Sequence, residues 1–324
     1  MGHIPSLPIC TEEFIKKFTE DLTFKKVLST HTMYTSVLAE IEGDGLVVCK
    51  IRCDNFKDKT KDNEMELKSV KRRIEAFQSI VYKEIHPNLL PIEKFETLSI
   101  GVTMAFRQYV FHSLKDKLAQ VPKIEIIQKK WITFQLIHSL KQLQNLGEFH
   151  GNITTENVLI TSSDWVFLSD CMFYKKVYLG IDDHQINSAY FGDYINHKRC
   201  YIAPERFVKA QVIEEGVSLK DKFAMDIFSL GCVIAEIFRN GRPLFDLPKL
   251  MEYKKGNLVI DRDVFESDIK DDDFIIKIIL DMIHINPKKR KTIDEYLHLF
   301  VSESIDSTSD SFPESFHKTF YPLG

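Results

Sequence analysis

We expect an α+β protein with two lobes, a small β-rich lobe followed by a larger helical lobe. Short strand-like runs separated by turn residues occupy residues 22–110, and longer helical patterns occupy residues 111–300. The chain has 324 residues, 44% of them hydrophobic, which is enough to bury a large core. An N-terminal membrane-anchor segment (1–21) and a C-terminal tether (301–324) are expected to flank the two lobes.

The composition excludes several functional classes. The net charge of −4 provides no basic excess, so we expect no nucleic-acid partner. The longest apolar stretch, Ile227 to Phe238, contains Glu236 and is too short to span a bilayer. The six cysteines are scattered without a C-x-x-C pair, which argues against zinc and for a reducing compartment. No secretory signal pattern opens the chain, and we therefore expect a cytoplasmic protein.

The N-terminus matches a lipidation pattern. Residues 1–6, MGHIPS, fit M-G-x-x-x-S/T, in which Gly2 is myristoylated once the initiator methionine is removed. Many cytosolic chains begin Met-Gly by chance, so the pattern alone leaves acylation open. A single myristoyl chain binds a membrane only marginally, and a second contact with the membrane surface would therefore be required.

One of the first strands contains a lysine. Leu22–Ser29 and Ser36–Ile41 have the pattern of strands, and the Asp-Gly pair in the turn at 43–45 is a strong hairpin signal. The next predicted strand, Leu46–Ile51, is apolar apart from Lys50. A lysine in such a strand is either an edge residue that points at water or a functional cation.

A helix of about 64–83 follows a charged stretch. Its apolar residues recur at steps of three and four and form one stripe, namely Leu67, Val70, Ile74, Phe77 and Val81. Glu75 adjoins that stripe and has two interpretations. It either pairs with Lys71, four residues back, on the exposed surface, or it pairs with Lys50 of the preceding strand. The poorer candidates for the second role are Glu64 and Glu66.

After a strand at Val102–Val110, the chain is mainly helical. The predicted helices are Ile126–Leu146, one opening at Met225, Phe274–Ile285 and one opening at Asn286. The helix from Met225 is almost wholly apolar, which indicates that it is buried. The segment 170–205 is long and irregular, and such loops inside a domain are usually functional or disordered.

Two short apolar strands in the helical half bring two candidate metal ligands together. The runs ending at Ile160 and Leu168 are separated by turn residues and predict a β-hairpin. Asn157 precedes the first strand and Asp170 follows the second, so both side chains should emerge at the same end. A converging amide and carboxylate supply hard oxygen ligands, which suit Mg²⁺ held by nucleotide phosphates.

Several motifs in a fixed order resemble the protein-kinase fold. The matching residues are Lys50, Glu75, His150, Asn157, Asp170, Ala203-Pro204-Glu205, Asp226 and Arg290. The resemblance implies that Lys50 and Glu75 pair beside the phosphates of a bound nucleotide. It implies equally that Asn157 and Asp170 hold the metal ion.

The same resemblance implies two structural roles that are independent of activity. Glu205 and Arg290 would form a buried ion pair. Asp226 would hold the backbone of the loop that begins at His150.

A closer resemblance extends over nearly the whole chain, from Gly2 to about Tyr321. The matching segments are 106–110 (FRQYV), 150–151 (HG), 156–158 (ENV), 199–207 (RCYIAPERF) and 225–229 (MDIFS). They are similar to the vacuolar-protein-sorting kinase-like subunits, the regulatory subunit 4 of class III phosphatidylinositol 3-kinase. That resemblance implies a myristoylated Gly2, a location on endosome and autophagosome membranes, and two partners. The partners are the lipid-kinase catalytic subunit and a coiled-coil autophagy adaptor.

The residues expected to transfer phosphate depart from the kinase pattern. Asn152 stands in place of the proton-accepting aspartate, and an amide cannot take a proton near neutral pH. Thr154 replaces a lysine, Gly151 replaces an arginine, and the phosphate-covering loop 29–35 contains no glycine. We therefore predict a pseudokinase that binds ATP or GTP with Mg²⁺ and scaffolds the lipid kinase. The alternatives are a weakly active Ser/Thr protein kinase and an interaction module that binds no nucleotide.

Arg107 raises the question of which base is bound. By alignment of the motif, Arg107 lies beside the group at position six of the purine, and Tyr109 follows it in the nucleotide site. Adenine offers a hydrogen-bond donor there and guanine an acceptor, so an arginine, which only donates, suits guanine better. The alternative is that Arg107 turns away into a salt bridge.

Overall fold

The computed structural model describes residues 22–30, 34–53, 68, 71–79, 81, 86–98, 102–120, 123–171, 177–180, 199–208, 217–269 and 272–306. The predicted anchor segment 1–21 and the candidate residues Glu64 and Glu66 lie outside these ranges. So do residues 307–324 of the predicted tether.

The N-terminal lobe is built on one antiparallel sheet. Its strands are β1 Leu22–Thr30, β2 Thr35–Ile41, β3 Gly45–Cys53, β4 Leu89–Leu90, β5 Lys94–Leu98 and β6 Val102–Gln108. All of them except β4 form a five-stranded sheet in the order β1-β2-β3-β6-β5. The predicted turn between β2 and β3 is present, and Gly43 and Gly45 both adopt positive φ angles there.

Alternation along β3 and β6 separates an apolar face of this sheet from a polar one. Val47, Cys49 and Ile51 of β3 are buried together with Met104 and Phe106 of β6 in the core of the small lobe. The intervening positions therefore lie on the opposite face. Lys50 is paired with Ala105 and Val48 with Arg107, so Lys50 and Arg107 share that second face.

A helix covers residues 71–79, and residues 68 and 81 are helical as well. We call the 71–79 segment α1. The predicted apolar stripe is present at Ile74 and Phe77, which are buried in the same core cluster as the helices of the larger lobe. This helix therefore links the two lobes.

The C-terminal lobe is mainly helical. Its strands and helices are β7 His112–Ser113, α2 Leu114–Ala119, α3 Ile126–Asn145, β8 Val158–Ile160, β9 Val166–Ser169, β10 Leu179–Gly180, β11 Phe207–Val208, α4 Leu219–Phe238, α5 Leu247–Lys255, α6 Asp263–Glu266, α7 Asp273–Met282 and α8 Ile293–Asp306. The two-lobed α+β prediction is confirmed. No helix in the described ranges is long and apolar enough to cross a membrane.

The helix α4 lies in the core of the large lobe, and the predicted β-hairpin packs through β9 against α3. Every residue of α4 from Met225 to Phe238 is buried, as its apolar sequence predicts. The hairpin consists of β8 and β9, paired antiparallel with Val158 opposite Leu168. It belongs to a four-stranded sheet in the order β4-β9-β8-β7.

Several predicted boundaries differ from the structure. The buried helix begins at Leu219, after the N-cap Ser218, instead of at Met225, and the helix predicted at Phe274–Ile285 covers Asp273–Met282. The last helix begins at Ile293 instead of Asn286, because Pro287–Lys289 form a short 3-10 turn in front of it. It then continues to Asp306, so residues 301–306 of the predicted tether are helical. The C-terminal end of this helix was predicted too early because serine and aspartate, which are frequent there, disfavour a helix only weakly.

Gly231 in the middle of α4 permits close packing against the end of α7. A Cβ atom at this position would lie 2.7 Å from Cβ of Met282 and 3.1 Å from a methyl group of Ile283. Gly→Ala in a helix interior ordinarily stabilises a protein by about 0.5–1 kcal/mol. Here we expect Gly231→Ala to lower the free energy of unfolding by about 1–2 kcal/mol, because the extra methyl overpacks the core. Urea unfolding of both proteins measures this, and a gain in stability would contradict the packing argument.

Candidate functional site

A cavity of 410 Å³ lies between the two lobes. Strands β1, β2, β3 and β6 and Tyr34 line it from the small lobe, and the segment 109–116 and the hairpin with its flanking residues line the other side. The charged side chains along it in the described part of the chain are Lys50, Arg107, Lys115, Asp116, Glu156 and Asp170. Cations and carboxylates are thus equal in number, and how they pair decides what the cavity can bind.

Asp170 lies at the end of β9 and contacts two cations at once. Its Oδ1 atom is 2.9 Å from Nζ of Lys50 and 3.3 Å from Nε of Arg107. Its Oδ2 atom accepts a hydrogen bond of 3.0 Å from the hydroxyl of Ser169. Burial alone would raise the pKa of this carboxyl, but the charges of Arg107 and Lys50 outweigh burial and hold it well below its usual range. Asp170 is therefore ionised at neutral pH.

Lys50 also has a perturbed environment. Burial lowers the pKa of its ammonium group, and the neighbouring Arg107 lowers it further, while Asp170 acts in the opposite direction. The ammonium lies 4.9 Å from the centre of the Tyr34 ring, at the end of the loop that precedes β2. Residues 31–33 of that loop lie outside the described ranges.

Asn157 lies at the same end of the hairpin as Asp170. Its side-chain NH₂ donates a 2.9 Å hydrogen bond to the backbone carbonyl of Asn152, and the amide oxygen is left as the atom able to bind a cation. Its backbone carbonyl accepts a hydrogen bond from the backbone N–H of Ser169 and shares the hydroxyl hydrogen of Ser169 with Oδ2 of Asp170. The hairpin therefore brings Asn157 and Asp170 together on two hydrogen-bonded strands.

Asp226 of α4 holds the loop that begins at His150. Its two carboxylate oxygens accept hydrogen bonds from the backbone N–H groups of His150, at 2.6 Å, and Gly151, at 2.9 Å. The carbonyl of Gly151 accepts a hydrogen bond of 2.8 Å from Arg206. Gly151 has a φ of 72°, which a residue with a side chain would adopt only under strain.

Glu205 and Arg290 form a bidentate ion pair, with N–O distances of 2.6 and 3.0 Å. The side chain of Arg290 is 0% exposed. Arg290 also donates to the backbone carbonyls of Ala224 and His284. This pair ties the segment after the irregular loop to the start of α4 and to the end of α7.

Asn152 and Thr154 are both buried within the loop. The backbone N–H of Asn152 donates to Nδ1 of His150 at 3.2 Å, and the hydroxyl of Thr154 accepts from the backbone N–H of Asn157 at 3.3 Å. The two positions at which the sequence comparison led us to expect an ionisable side chain therefore contain neutral side chains that are buried within the loop.

The expectation that Glu75 pairs with Lys50 is wrong. Its side chain is 57% exposed and lies 3.8 Å from Lys71, as the alternative interpretation proposed. Ile74 and Phe77 occupy the buried side of α1, so the helical rotation between neighbouring residues turns Glu75 toward solvent. Among the described residues of this helix, no carboxylate contacts Lys50, and Asp170 is its partner instead.

Arg107 does form a salt bridge, but it does not turn away from the site. Besides Asp170, its guanidinium group donates to the backbone carbonyl of Gln108 at 3.0 Å. Tyr109 lines the cavity, and its backbone N–H donates to the carbonyl of Leu46 at 3.1 Å. Its ring lies edge-on to Phe111, which is largely exposed at the cavity mouth.

Sequence reasoning missed three contributors to the site. Glu156 pairs with Lys115, Ser169 donates to Asp170, and Tyr34 lies beside Lys50. Ser169 precedes Asp170 and Glu156 precedes Asn157 in the sequence. Their position next to these two predicted ligands was the only indication that they belong to the site. No local pattern could have indicated that positions 107 and 170 would meet, since they lie far apart along the chain.

Comparisons with known proteins agree with this architecture. The protein kinase domain family matches residues 38–300. The chain is 36% identical over 301 residues to a probable serine/threonine-protein kinase vps15 of Dictyostelium discoideum, covering 92% of this chain and 14% of that protein. It is 32% identical to the serine/threonine-protein kinase VPS15 of Arabidopsis thaliana, covering 94% and 20%. The chain therefore spans at most about a fifth of the length of these relatives.

The fold is also found among solved structures. The crystal structure of Rad53 1-466 in complex with AMP-PNP superposes with a TM-score of 0.62 and covers 86% of this chain and 64% of that one. The sequence identity is 17%, and the likeness shows the fold alone.

The buried Asp226 should affect the pH dependence of stability. Burial raises its pKa to about 6, above the usual value near 4, although the N–H groups of Gly151 and His150 act in the opposite direction. The folded chain then keeps a proton that the unfolded chain releases, so this group contributes stability at about pH 4 and loses it as the pH rises to about 6. Compared with Asp226→Asn, the wild type should lose roughly 1–3 kcal/mol over that interval. Urea unfolding of both proteins at several pH values measures this, and parallel pH profiles would contradict it.

Proposed function

We propose that the cavity between the lobes binds a purine nucleotide without efficient phosphate transfer. The proposal starts from the family: the chain belongs to the protein kinase family, and within it to the kinase-like domains of the VPS15 proteins. The ligand is ATP or GTP with Mg²⁺. In this proposal the domain is a regulatory scaffold of a class III phosphatidylinositol 3-kinase complex and not an efficient protein kinase.

The supporting observation is that the residues expected to bind nucleotide are present, whereas the residues expected to transfer phosphate are replaced. Lys50, Asn157 and Asp170 converge on one cavity, with a cation and two hard oxygen donors available to phosphates and metal. Asn152 and Thr154 stand where a base and a cation are needed, and both are neutral and buried. Loss of a general base typically costs about two to four orders of magnitude in rate.

The donor set fits Mg²⁺ only with help from the nucleotide. Asp170 and Asn157 supply two oxygen ligands, and Mg²⁺ requires six ligands in near-octahedral geometry. Within the described ranges, no three His, Cys, Asp or Glu side chains are grouped as ligands. The phosphates and water would have to supply the remaining positions, and a bound Mg²⁺ would neutralise phosphate charge.

An active Ser/Thr kinase is the second candidate, and one set of contacts favours it. The loop scaffold is complete, because Asp226 holds His150 and Gly151 while Glu205 pairs with Arg290. Phosphoryl transfer depends mainly on positioning and charge stabilisation, so a correctly shaped loop could retain some activity without its base. The names of the relatives describe such kinases.

The wider role is proposed from family membership. The lipid-kinase catalytic subunit and a coiled-coil autophagy adaptor would be the partners. A myristoyl group on Gly2, together with a second contact, would place the domain on endosome or autophagosome membranes.

Phosphate transfer can be measured directly. With γ-labelled ATP or GTP and a generic protein substrate, the purified chain should transfer no more label than Asp170→Ala does. Restoring the missing groups with Asn152→Asp and Thr154→Lys should raise transfer by roughly 10²-fold or more, because a positioned base and a cation return to an intact loop. Transfer by the unmodified chain above the Asp170→Ala background would contradict the pseudokinase proposal.

Failure of both nucleotides, with Mg²⁺, to raise the melting temperature of the chain would favour an interaction module that binds no nucleotide.

Lipidation has an equally direct test. Co-expression with an N-myristoyltransferase should give an N-terminal peptide with the mass of a myristoylated Gly2. Gly2→Ala should abolish the modification, whereas His3→Ala, at a position that the pattern leaves open, should retain it. An unmodified Gly2 in the wild-type chain would refute the proposed anchor.

A further inference from the structure

The metal-binding candidate Asp170 already has a permanent counter-ion inside the protein. We propose that Arg107 is a tethered cation that replaces part of the charge of a divalent metal ion at Asp170, so that nucleotide binds with little dependence on Mg²⁺. The inference rests on the proposed nucleotide binding and adds to it which residue determines the metal requirement.

The sheet places Arg107 where this role requires it. Direct pairing of Val48 with Arg107, and of Lys50 with Ala105, puts both cations on the face of the sheet that lines the cavity. From that face both side chains reach the same oxygen, Oδ1 of Asp170. The small lobe therefore presents two positive charges to one carboxylate of the large lobe.

Arg107 is fixed in this position. Its side chain is only 10% exposed, and one of its terminal N–H groups donates to the backbone carbonyl of Gln108 at 3.0 Å. A guanidinium group does not lose its proton in proteins, so the charge persists at every working pH. A lysine at the same position would offer a point charge without this planar geometry.

Both oxygens of Asp170 are occupied as a result. Oδ1 faces Lys50 and Arg107, and Oδ2 lies 3.0 Å from the hydroxyl of Ser169, whose single hydrogen it shares with the backbone carbonyl of Asn157. A magnesium ion that uses Asp170 must displace one of these partners and must also give up water, which it does reluctantly. The contacts thus compete with the metal ion at the carboxylate that follows β9.

The charged side chains of the cavity balance in number, but the group formed by Lys50, Arg107 and Asp170 is locally positive. Lys115 pairs with Glu156, and the carboxylate of Asp116 accepts hydrogen bonds from the backbone and hydroxyl of Ser113. Lys50, Arg107 and Asp170 together carry one net positive charge. Phosphates entering the cavity therefore meet a cationic group without any metal ion, which an arrangement of one lysine and one aspartate would not provide.

The test is the metal dependence of nucleotide affinity. Isothermal titration of the whole chain, first freed of any nucleotide that co-purifies with it, is carried out with ATP and with GTP in Mg²⁺ and in EDTA. For the nucleotide that binds, the wild type should keep its dissociation constant within about threefold on removal of Mg²⁺. Arg107→Met should bind at least about tenfold more weakly in EDTA than in Mg²⁺, because phosphate then faces a less compensated carboxylate.

Two further variants make the result specific to charge at position 107. Arg107→Lys should retain most of the metal-independent binding. Arg262→Met removes an arginine of the exposed Arg262–Asp273 pair, remote from the cavity, and should match the wild type. Thermal unfolding of each variant checks that it is folded.

The outcomes separate the inference from the function on which it rests. Binding by the wild type that EDTA abolishes would overturn the inference, even if Arg107→Met does not fold, and would leave nucleotide binding intact. Equal metal dependence in wild type and a folded Arg107→Met would also overturn it. Absence of binding to both nucleotides under every condition would overturn the proposed function itself.

Discussion

The contact of Asp170 with Lys50 and Arg107 joins the two lobes at the point where the cavity is formed. Both cations belong to the sheet of the small lobe, and the carboxylate ends the hairpin of the large lobe. All three side chains are largely removed from water, so each depends on the others to offset the cost of burying its charge. The closed arrangement of the lobes and the charge of the cavity therefore have the same physical origin.

A second set of contacts maintains the loop from His150 to Asn157 independently of what that loop can catalyse. Asp226 binds its start, and Asn157 closes it by donating to the carbonyl of Asn152. These are mostly contacts to backbone atoms. The side chains at 152 and 154 can therefore change without loss of the loop shape. This is the physical reason why a chain can keep a site for nucleotide while losing the groups that transfer phosphate.

Much of the architecture was predictable because local periodicity determines it. A short apolar run interrupted only by Lys50 identified β3, and the almost wholly apolar sequence from Met225 identified the buried helix. The error at Glu75 arose because a residue next to an apolar stripe lies on its border, and packing decides which way it turns. The pairing of Arg107 with Asp170 depends on how two lobes close, and no local pattern contains that information. The extension of α8 to Asp306 was missed because composition is a weak guide to helix ends.

The proposed function requires that this cavity hold a nucleotide without consuming it. The most direct measurement is the identity and amount of nucleotide released when the purified chain is denatured, determined by ion-exchange chromatography and mass spectrometry. We expect an intact purine triphosphate, approaching one per chain, that is absent from Asp170→Ala. Recovery of no nucleotide, or of the diphosphate alone, would contradict it.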